Sequence, residues 1–119
     1  MPQSPATPFA QALFPLEEAA RRPPDPGNLA TVLFRHGTMV LEYYKPQMPD
    51  PQKPHTRDEL YFVAAGEGWF RRGTERFPCK AGDVLFVAAG VEHRFEECSG
   101  DFGVWVVFYG AEGGEAAQG

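Results

Sequence analysis

The sequence has few cysteines, no excess of basic residues and no long hydrophobic run, and each absence removes a class of protein. Only Cys79 and Cys98 occur, in neither a metal-binding nor a redox spacing, which predicts two free thiols. The formal net charge of −5 argues against a general affinity for nucleic acid or acidic membranes. Nothing approaches a transmembrane span, and no signal peptide is visible. We therefore expect a cytoplasmic protein that binds neither nucleic acid nor membrane.

Length and composition fit one small globular domain. A chain of 119 residues is too short for two comfortable domains, and one domain of this size buries roughly two-thirds of the surface that its unfolded chain exposes. The hydrophobic fraction of 43% and the aromatic fraction of 13% are typical of a folded rather than a disordered chain.

Proline and glycine divide the chain into three parts. Seven of the twelve prolines lie in residues 1–28, which predicts an extension without long regular elements, apart from a short helix at 16–22. Small polar residues at 111–119 predict a flexible tail. Residues 29–110 remain as the folded barrel domain.

Short apolar runs separated by turn residues fill this domain. They predict eight strands, at residues 29–35, 38–45, 59–65, 68–72, 75–79, 84–87, 91–96 and 101–109. Turns are expected at Gly37, Gly66, Gly73 and Gly100. Eight short strands without a long helix predict an all-β sandwich or barrel.

Two of these strands are apolar on both faces, at residues 60–65 and 104–109. A sheet with one wet face would alternate apolar and polar residues instead. One face must line the interior, and the other must be covered by a second layer or by another subunit. A homodimer is the expected assembly.

An imidazole and a carboxylate stand four residues apart at His55 and Glu59. On a straight strand this spacing is about 13 Å, too far to share one ion, whereas on a helix both would share a face. The aromatic and β-branched run that begins at Leu60 favours a strand, so His55 must lie on a bend that Pro54 supports. These residues alone leave two interpretations open, a metal-binding pair and a solvated histidine beside a strand-end glutamate.

Residues 82–97 form a second stretch with regularly placed glycines and a histidine. Together the two stretches resemble the paired motifs of the cupin superfamily. The first motif reads glycine, His-x-His, glutamate, glycine, and the second reads glycine, proline, glycine, histidine, asparagine. The matching positions are His55, Glu59, Gly66, Gly82, Gly90 and His93. The departures are Gln47, Lys53, Ala88 and Glu97, at the opening glycine, the first histidine, the proline and the asparagine.

The resemblance covers residues 38–109 and implies a small single-domain cupin of the bacterial type, with a jelly-roll-like β-barrel. It implies that His55, Glu59 and His93 converge and hold one divalent transition metal. Two imidazoles and a carboxylate suit Fe, Mn, Ni or Zn and disfavour calcium. Because a protonated amine is a poor ligand, Lys53 is expected to point outward, which leaves open positions for water, oxygen or a bidentate substrate. The opposing interpretation is that the lost ligand marks a metal-free binder.

Three further residues are candidates for the pocket. Tyr61 shares a strand face with Glu59 and is either a catalytic proton donor or a core residue. Phe95 shares a face with His93, and Val63 with Tyr61, so we expect both to line the pocket.

Two function classes stay open. One is a metal-dependent enzyme of dioxygenase, isomerase or lyase type that acts on a small organic molecule. The other is a non-catalytic barrel that binds a small-molecule ligand. The barrel alone does not decide between them, because one fold hosts many functions.

Overall fold

The computed structural model describes residues 12–116, so the predictions for 1–11 and 117–119 lie outside the described residues. The elements are α1 (Leu16–Arg21), β1 (Thr31–His36), β2 (Met39–Tyr44), β3 (Asp58–Ala65), β4 (Glu67–Arg72), β5 (Glu75–Lys80), β6 (Val84–Val87), β7 (His93–Glu96) and β8 (Gly103–Tyr109). All eight predicted strands are present, and the short helix ends one residue earlier than predicted.

Two antiparallel sheets face each other and form the predicted all-β, jelly-roll-like barrel. The larger sheet has the order β1-β2-β8-β3-β6 and the smaller one the order β5-β4-β7. Aromatic rings from both sheets fill the interior: Phe95 of β7 packs at a centroid distance of 5.0 Å against Tyr61 of β3 and of 5.1 Å against Phe70 of β4. These tilted and edge-on contacts add to the stabilisation from apolar burial.

Gly66 and Gly90, like the third motif glycine Gly82, have backbone angles that other residues rarely adopt. Gly66 turns the chain from β3 into β4 with φ +77°, and a Cβ there would lie 2.8 Å from the Cα of Phe102. Gly90 has φ +79° in the connection from β6 to β7. The first glycine is therefore required by both conformation and space, and the second by conformation.

The outer face of the larger sheet is covered in part by the same chain. Ala19 of α1 is buried against Leu33 of β1 and Tyr43 of β2, with Trp105 of β8 beside them. Glu17 and Glu18 in the first turn and Arg21 in the last turn complement the helix dipole. A segment of the extension thus supplies the second layer over β1, β2 and β8.

Neither cysteine forms a disulfide, as predicted. Burial raises the pKa of both thiols to about 11, so they stay protonated near neutral pH. Within residues 12–116, the helix is neither long enough nor apolar enough to cross a membrane.

The connection from β2 to β3 is anchored by Asp50, a buried carboxylate. One carboxylate oxygen accepts hydrogen bonds from the Tyr44 hydroxyl and, at 3.2 Å, from the backbone N–H of Gln52. The other accepts from the Gln52 side-chain amide at 2.6 Å and from the Phe95 backbone N–H at 2.9 Å. Because Tyr44 and Phe95 belong to different sheets, one side chain ties this connection to both.

Replacing Asp50 with alanine should lower the free energy of unfolding by roughly 2 to 4 kcal/mol, because the buried hydroxyl of Tyr44 and amide of Phe95 lose their acceptor. Urea denaturation followed by tryptophan fluorescence measures the change. Asp50→Asn keeps one acceptor oxygen and should lose less. A stability loss of less than roughly 0.5 kcal/mol in the alanine variant would contradict the anchoring role.

The outer face of β3 and β6 is apolar and is not covered by α1. Phe62 pairs in register with Val84, and these residues and Phe86 are 37%, 55% and 42% exposed. β6 is an edge strand among the described strands. An apolar edge of this kind favours association. The homodimer stays a prediction, and this face is where we expect a second copy.

The double variant Val84→Lys/Phe86→Glu should therefore be a monomer near 13.2 kDa, whereas the parent chain should be a dimer. Size-exclusion chromatography with light scattering measures the mass. Met48→Lys, at an exposed apolar residue of the β2–β3 connection, serves as the control and should stay dimeric. A parent chain that is already monomeric at micromolar concentration contradicts the prediction.

Candidate metal centre

The bend that presents His55 is held by two hydrogen bonds to the connection between β6 and β7. The backbone N–H of Gly90 donates to the His55 carbonyl at 2.7 Å. Asp58, the first residue of β3, accepts from the backbone N–H of Ala89 at 2.9 Å. These contacts fix the chain just before β3, so that Glu59 enters the strand on its inner face and His55 lies beside it.

His93 begins β7, in the opposite sheet, and its ring orientation is set by one backbone contact. Its Nδ1 lies 2.9 Å from the Val91 carbonyl oxygen. A carbonyl only accepts, so Nδ1 carries the proton, and Nε2, which faces the interior, is the nitrogen available to ligate a metal. Nε2 lies 2.9 Å from Oε1 of Glu59.

His55, Glu59 and His93 come together as the resemblance implies. One ligating atom from each lies within 4.8 Å of the other two, and Nε2 of His55 is 3.7 Å from Oε1 of Glu59. The three residues come from the β2–β3 connection, β3 and β7. Two sheets and one connection are therefore needed to assemble the cluster.

Glu59 provides the test of whether a cation fits this cluster. Its side chain is 1% exposed, and neither carboxylate oxygen accepts a hydrogen bond of good geometry from the residues between 12 and 116. Burying a carboxylate that receives no hydrogen bond is destabilising by roughly several kcal/mol. A divalent cation between this carboxylate and the two imidazole nitrogens would supply such a partner, and the donor set suits a transition metal.

The two histidines differ in their electrostatics. Burial lowers the pKa of His55, against the opposing effect of Glu59, so its imidazole is neutral near pH 7, the form that ligates a metal. Burial also acts to lower the pKa of His93, but the contacts with Glu59 and the Val91 carbonyl outweigh it, and the pKa is raised. A metal at this site competes with a proton on His93.

Gln52 is a site residue that the sequence analysis missed. Its Oε1 accepts a hydrogen bond from the Tyr61 hydroxyl at 2.9 Å and lies 3.4 Å from Nε2 of His55. Its amide donates to Asp50, which fixes the direction of the carbonyl oxygen. The neighbouring Lys53 is exposed, in line with the expectation that it points outward. In the sequence, the one feature that could have indicated Gln52 is its position next to Lys53, which replaces the first histidine of the motif.

Tyr61 lies between the cluster and the core. Its hydroxyl oxygen is 2.9 Å from Nε2 of His93, and its side chain is almost fully buried. Burial, reinforced by Glu59, raises the pKa of Tyr61 well above its usual value, so the hydroxyl keeps its proton. Tyr61 is thus both a core residue and a neutral hydrogen-bonding group at the cluster.

A cavity of about 310 Å³ opens onto the cluster. Its described lining consists of Gly27, Asn28, Leu29, Ala30, Glu42, Tyr44, Gln52, His55, Glu59, Tyr61, Val106 and Phe108. Residues 27–30 precede β1, so the end of the proline-rich extension forms part of one wall. Phe95 and Val63 lie in the core and are not among these lining residues, because strand alternation predicts the face of a side chain and not its depth.

Comparison with known proteins identifies relatives of the barrel. The family model described as "Cupin domain" matches residues 40–109. An uncharacterized protein of Streptomyces coelicolor is 37% identical over 91 residues, which span 76% of this chain and 87% of that protein.

Solved structures share the fold. An uncharacterized conserved protein with a double-stranded β-helix domain from Klebsiella pneumoniae superposes with a TM-score of 0.63, at 22% identity, over 83% of this chain and 90% of that one. The cobalt(II) form of HppE in complex with its substrate superposes with a TM-score of 0.56, at 22% identity, over 67% of this chain and 51% of that one.

Replacing His55, Glu59 or His93 singly with alanine should remove most of the bound metal, because a three-ligand site has no redundancy. Elemental analysis of protein purified without a histidine tag or chelator measures the metal per chain. Lys53→Ala is the control and should retain the metal, because Lys53 is exposed. Loss of metal in the lysine variant, or retention in all three ligand variants, would show that the assignment is wrong.

Proposed function

The chain belongs to the cupin domain family, and from that premise we propose that it is a divalent-metal-dependent enzyme acting on a small organic substrate. The proposed reaction is of dioxygenase, isomerase or lyase type. One observation carries the proposal: two histidines and a glutamate meet at the wall of a cavity of about 310 Å³. Glu59 and His93 are buried, and the carboxylate of Glu59 receives no hydrogen bond of good geometry from the described residues. This volume is in the range of small-molecule sites.

We assign His55, Glu59 and His93 as ligands of one Fe, Mn, Ni or Zn ion. When bound, such an ion supplies Lewis acidity or activates oxygen. HppE, which shares the fold, has been obtained with iron(II) and with cobalt(II), and the donor set of this chain suits the same class of metal. The proposed partner is a small molecule, since the net charge of −5 favours neither nucleic acid nor membrane.

Residues beside the ligands orient the substrate and hold a proton. Tyr61 keeps a proton on its hydroxyl oxygen, within hydrogen-bonding distance of His93 and Gln52. Asp50 holds Gln52, and Gln52 in turn holds Tyr61, so this proton has a defined position. Val106 and Phe108 provide an apolar wall against which the carbon skeleton of a substrate packs.

Metal-stripped protein reconstituted with Fe(II), Mn(II), Ni(II) or Zn(II) should convert a small organic molecule in the presence of one of these metals. Product formation across a library of small alcohols, phenols and oxo-acids, followed by mass spectrometry, measures it. Tyr61→Phe should keep the metal but lose on the order of a hundredfold in kcat, because it lacks the hydroxyl proton.

Two results would contradict this proposal. Metal and ligand binding without turnover under any of the four metals would establish the alternative, a non-catalytic binder. An unchanged kcat in Tyr61→Phe would remove Tyr61 from the reaction and leave it as a core residue. Glu59→Gln is the matched control and should lose both metal and turnover.

A further inference from the structure

A second carboxyl group faces the cavity from the same sheet as Glu59, two strands away from β3. Glu42 lies on β2, in register with Val106 of β8, and Val106 in turn is in register with Tyr61 of β3. The Cα atoms of Glu42 and Tyr61 are therefore two strand spacings apart, which is roughly 10 Å. Both line the same cavity. Glu42 is outside the cluster of metal-ligating atoms.

The protein provides no direct partner for this carboxyl group. The side chain of Glu42 is half-buried and makes no hydrogen bond or ion pair with any residue from 12 to 116. A carboxylate that is partly withdrawn from water needs a donor or a cation to offset its desolvation. Because Glu42 lines the cavity, a molecule bound in the cavity can supply this donor or cation.

The charges around Glu42 do not neutralise it. Burial and the neighbouring Glu59, with a smaller effect from Asp25, raise the pKa of Glu42 to about 7, against the opposing effects of Arg35 and Arg57. Its carboxyl group thus exchanges a proton readily near neutral pH when no metal is present. A cation at the cluster counteracts the effect of Glu59 and favours the ionised form of Glu42.

The charged side chains that line the cavity are acidic. Among its twelve described residues, two are glutamates and none is lysine or arginine. The other polar groups of the lining are neutral amides, hydroxyls and an imidazole. A ligand with a second anionic group, remote from the metal, meets only repulsion from Glu42, whereas a hydroxyl or ammonium group meets an acceptor.

We propose that Glu42 contacts the substrate at the end remote from the metal ligands and selects a small molecule that carries a hydroxyl or ammonium donor there, against one that carries a carboxylate or phosphate. This inference rests on the proposed function, because it takes the cluster of His55, Glu59 and His93 as the metal-binding end. It makes Glu42 a specificity-determining residue, and it limits the substrate class to neutral or cationic molecules.

Two catechols with tails of opposite charge test this proposal. Dopamine carries an ammonium group and homoprotocatechuate a carboxylate on the same chelating ring. Their dissociation constants are measured by anaerobic calorimetry on the zinc-loaded chain near pH ~8, where both tails are ionised. The parent chain should bind dopamine roughly tenfold more tightly than homoprotocatechuate, as expected for one charge-assisted hydrogen bond.

The variant Glu42→Gln should reduce this preference to within about twofold while it retains one zinc per chain, because an amide is neutral. Glu67→Gln is the matched control: it removes the same charge from an exposed position on β4, in the other sheet, and should keep the full preference.

The other outcomes overturn the proposal in distinguishable ways. An equal preference in the parent chain and Glu42→Gln, with zinc bound in both, overturns the role of Glu42 and leaves the proposed function standing. Loss of zinc in Glu42→Gln overturns it by making Glu42 a metal ligand. Absence of zinc from the parent chain sinks the proposed function, and this inference with it.

Discussion

The site depends on one constraint, the buried carboxylate of Glu59, which lies against two imidazoles and receives no hydrogen bond of good geometry from residues 12–116. Such a group is unfavourable in a folded chain unless a cation accompanies it. The surroundings preserve this arrangement: the Val91 carbonyl directs Nε2 of His93 inward, and Gly90 holds the bend that carries His55. On the proposed function, the chain keeps three candidate ligands together at a cost in stability that a bound metal would offset.

A second buried carboxylate, Asp50, shows the opposite treatment. It receives four hydrogen bonds, and these join both sheets to the β2–β3 connection. The protein supplies hydrogen bonds to both oxygens of Asp50 but to neither oxygen of Glu59, which under the proposed function would be satisfied by a bound metal. Asp50 also holds Gln52, which accepts a hydrogen bond from Tyr61, so a residue that joins the two sheets also positions a side chain at the site. Glu42 is a further carboxyl group in the cavity lining, two strands away from Glu59 in the same sheet, and its side chain also receives no hydrogen bond from residues 12–116.

Short apolar runs between turn residues were sufficient to predict the eight strands, because glycine-containing turns end each strand and apolar residues mark its buried faces. The spacing of glycines and histidines identified the family. It also indicated His55, Glu59 and His93, which lie together in the structure. Local patterns did not predict how deeply a side chain is buried. Phe95 and Val63 share faces with site residues, yet they lie in the core rather than in the described lining of the cavity.

The sequence by itself determined the barrel, its strands and the three candidate ligands, since periodicity and motif spacing are local properties of the chain. Only the tertiary structure decided that Gln52 reaches the cluster while Lys53 is exposed, and that Glu42 faces the same cavity from another strand. The orientation of Gln52 depends on Asp50, which is itself bound to Phe95, 45 positions further along the chain. No local pattern encodes such a contact, because strand pairing and burial bring together residues whose separation in sequence carries no periodicity.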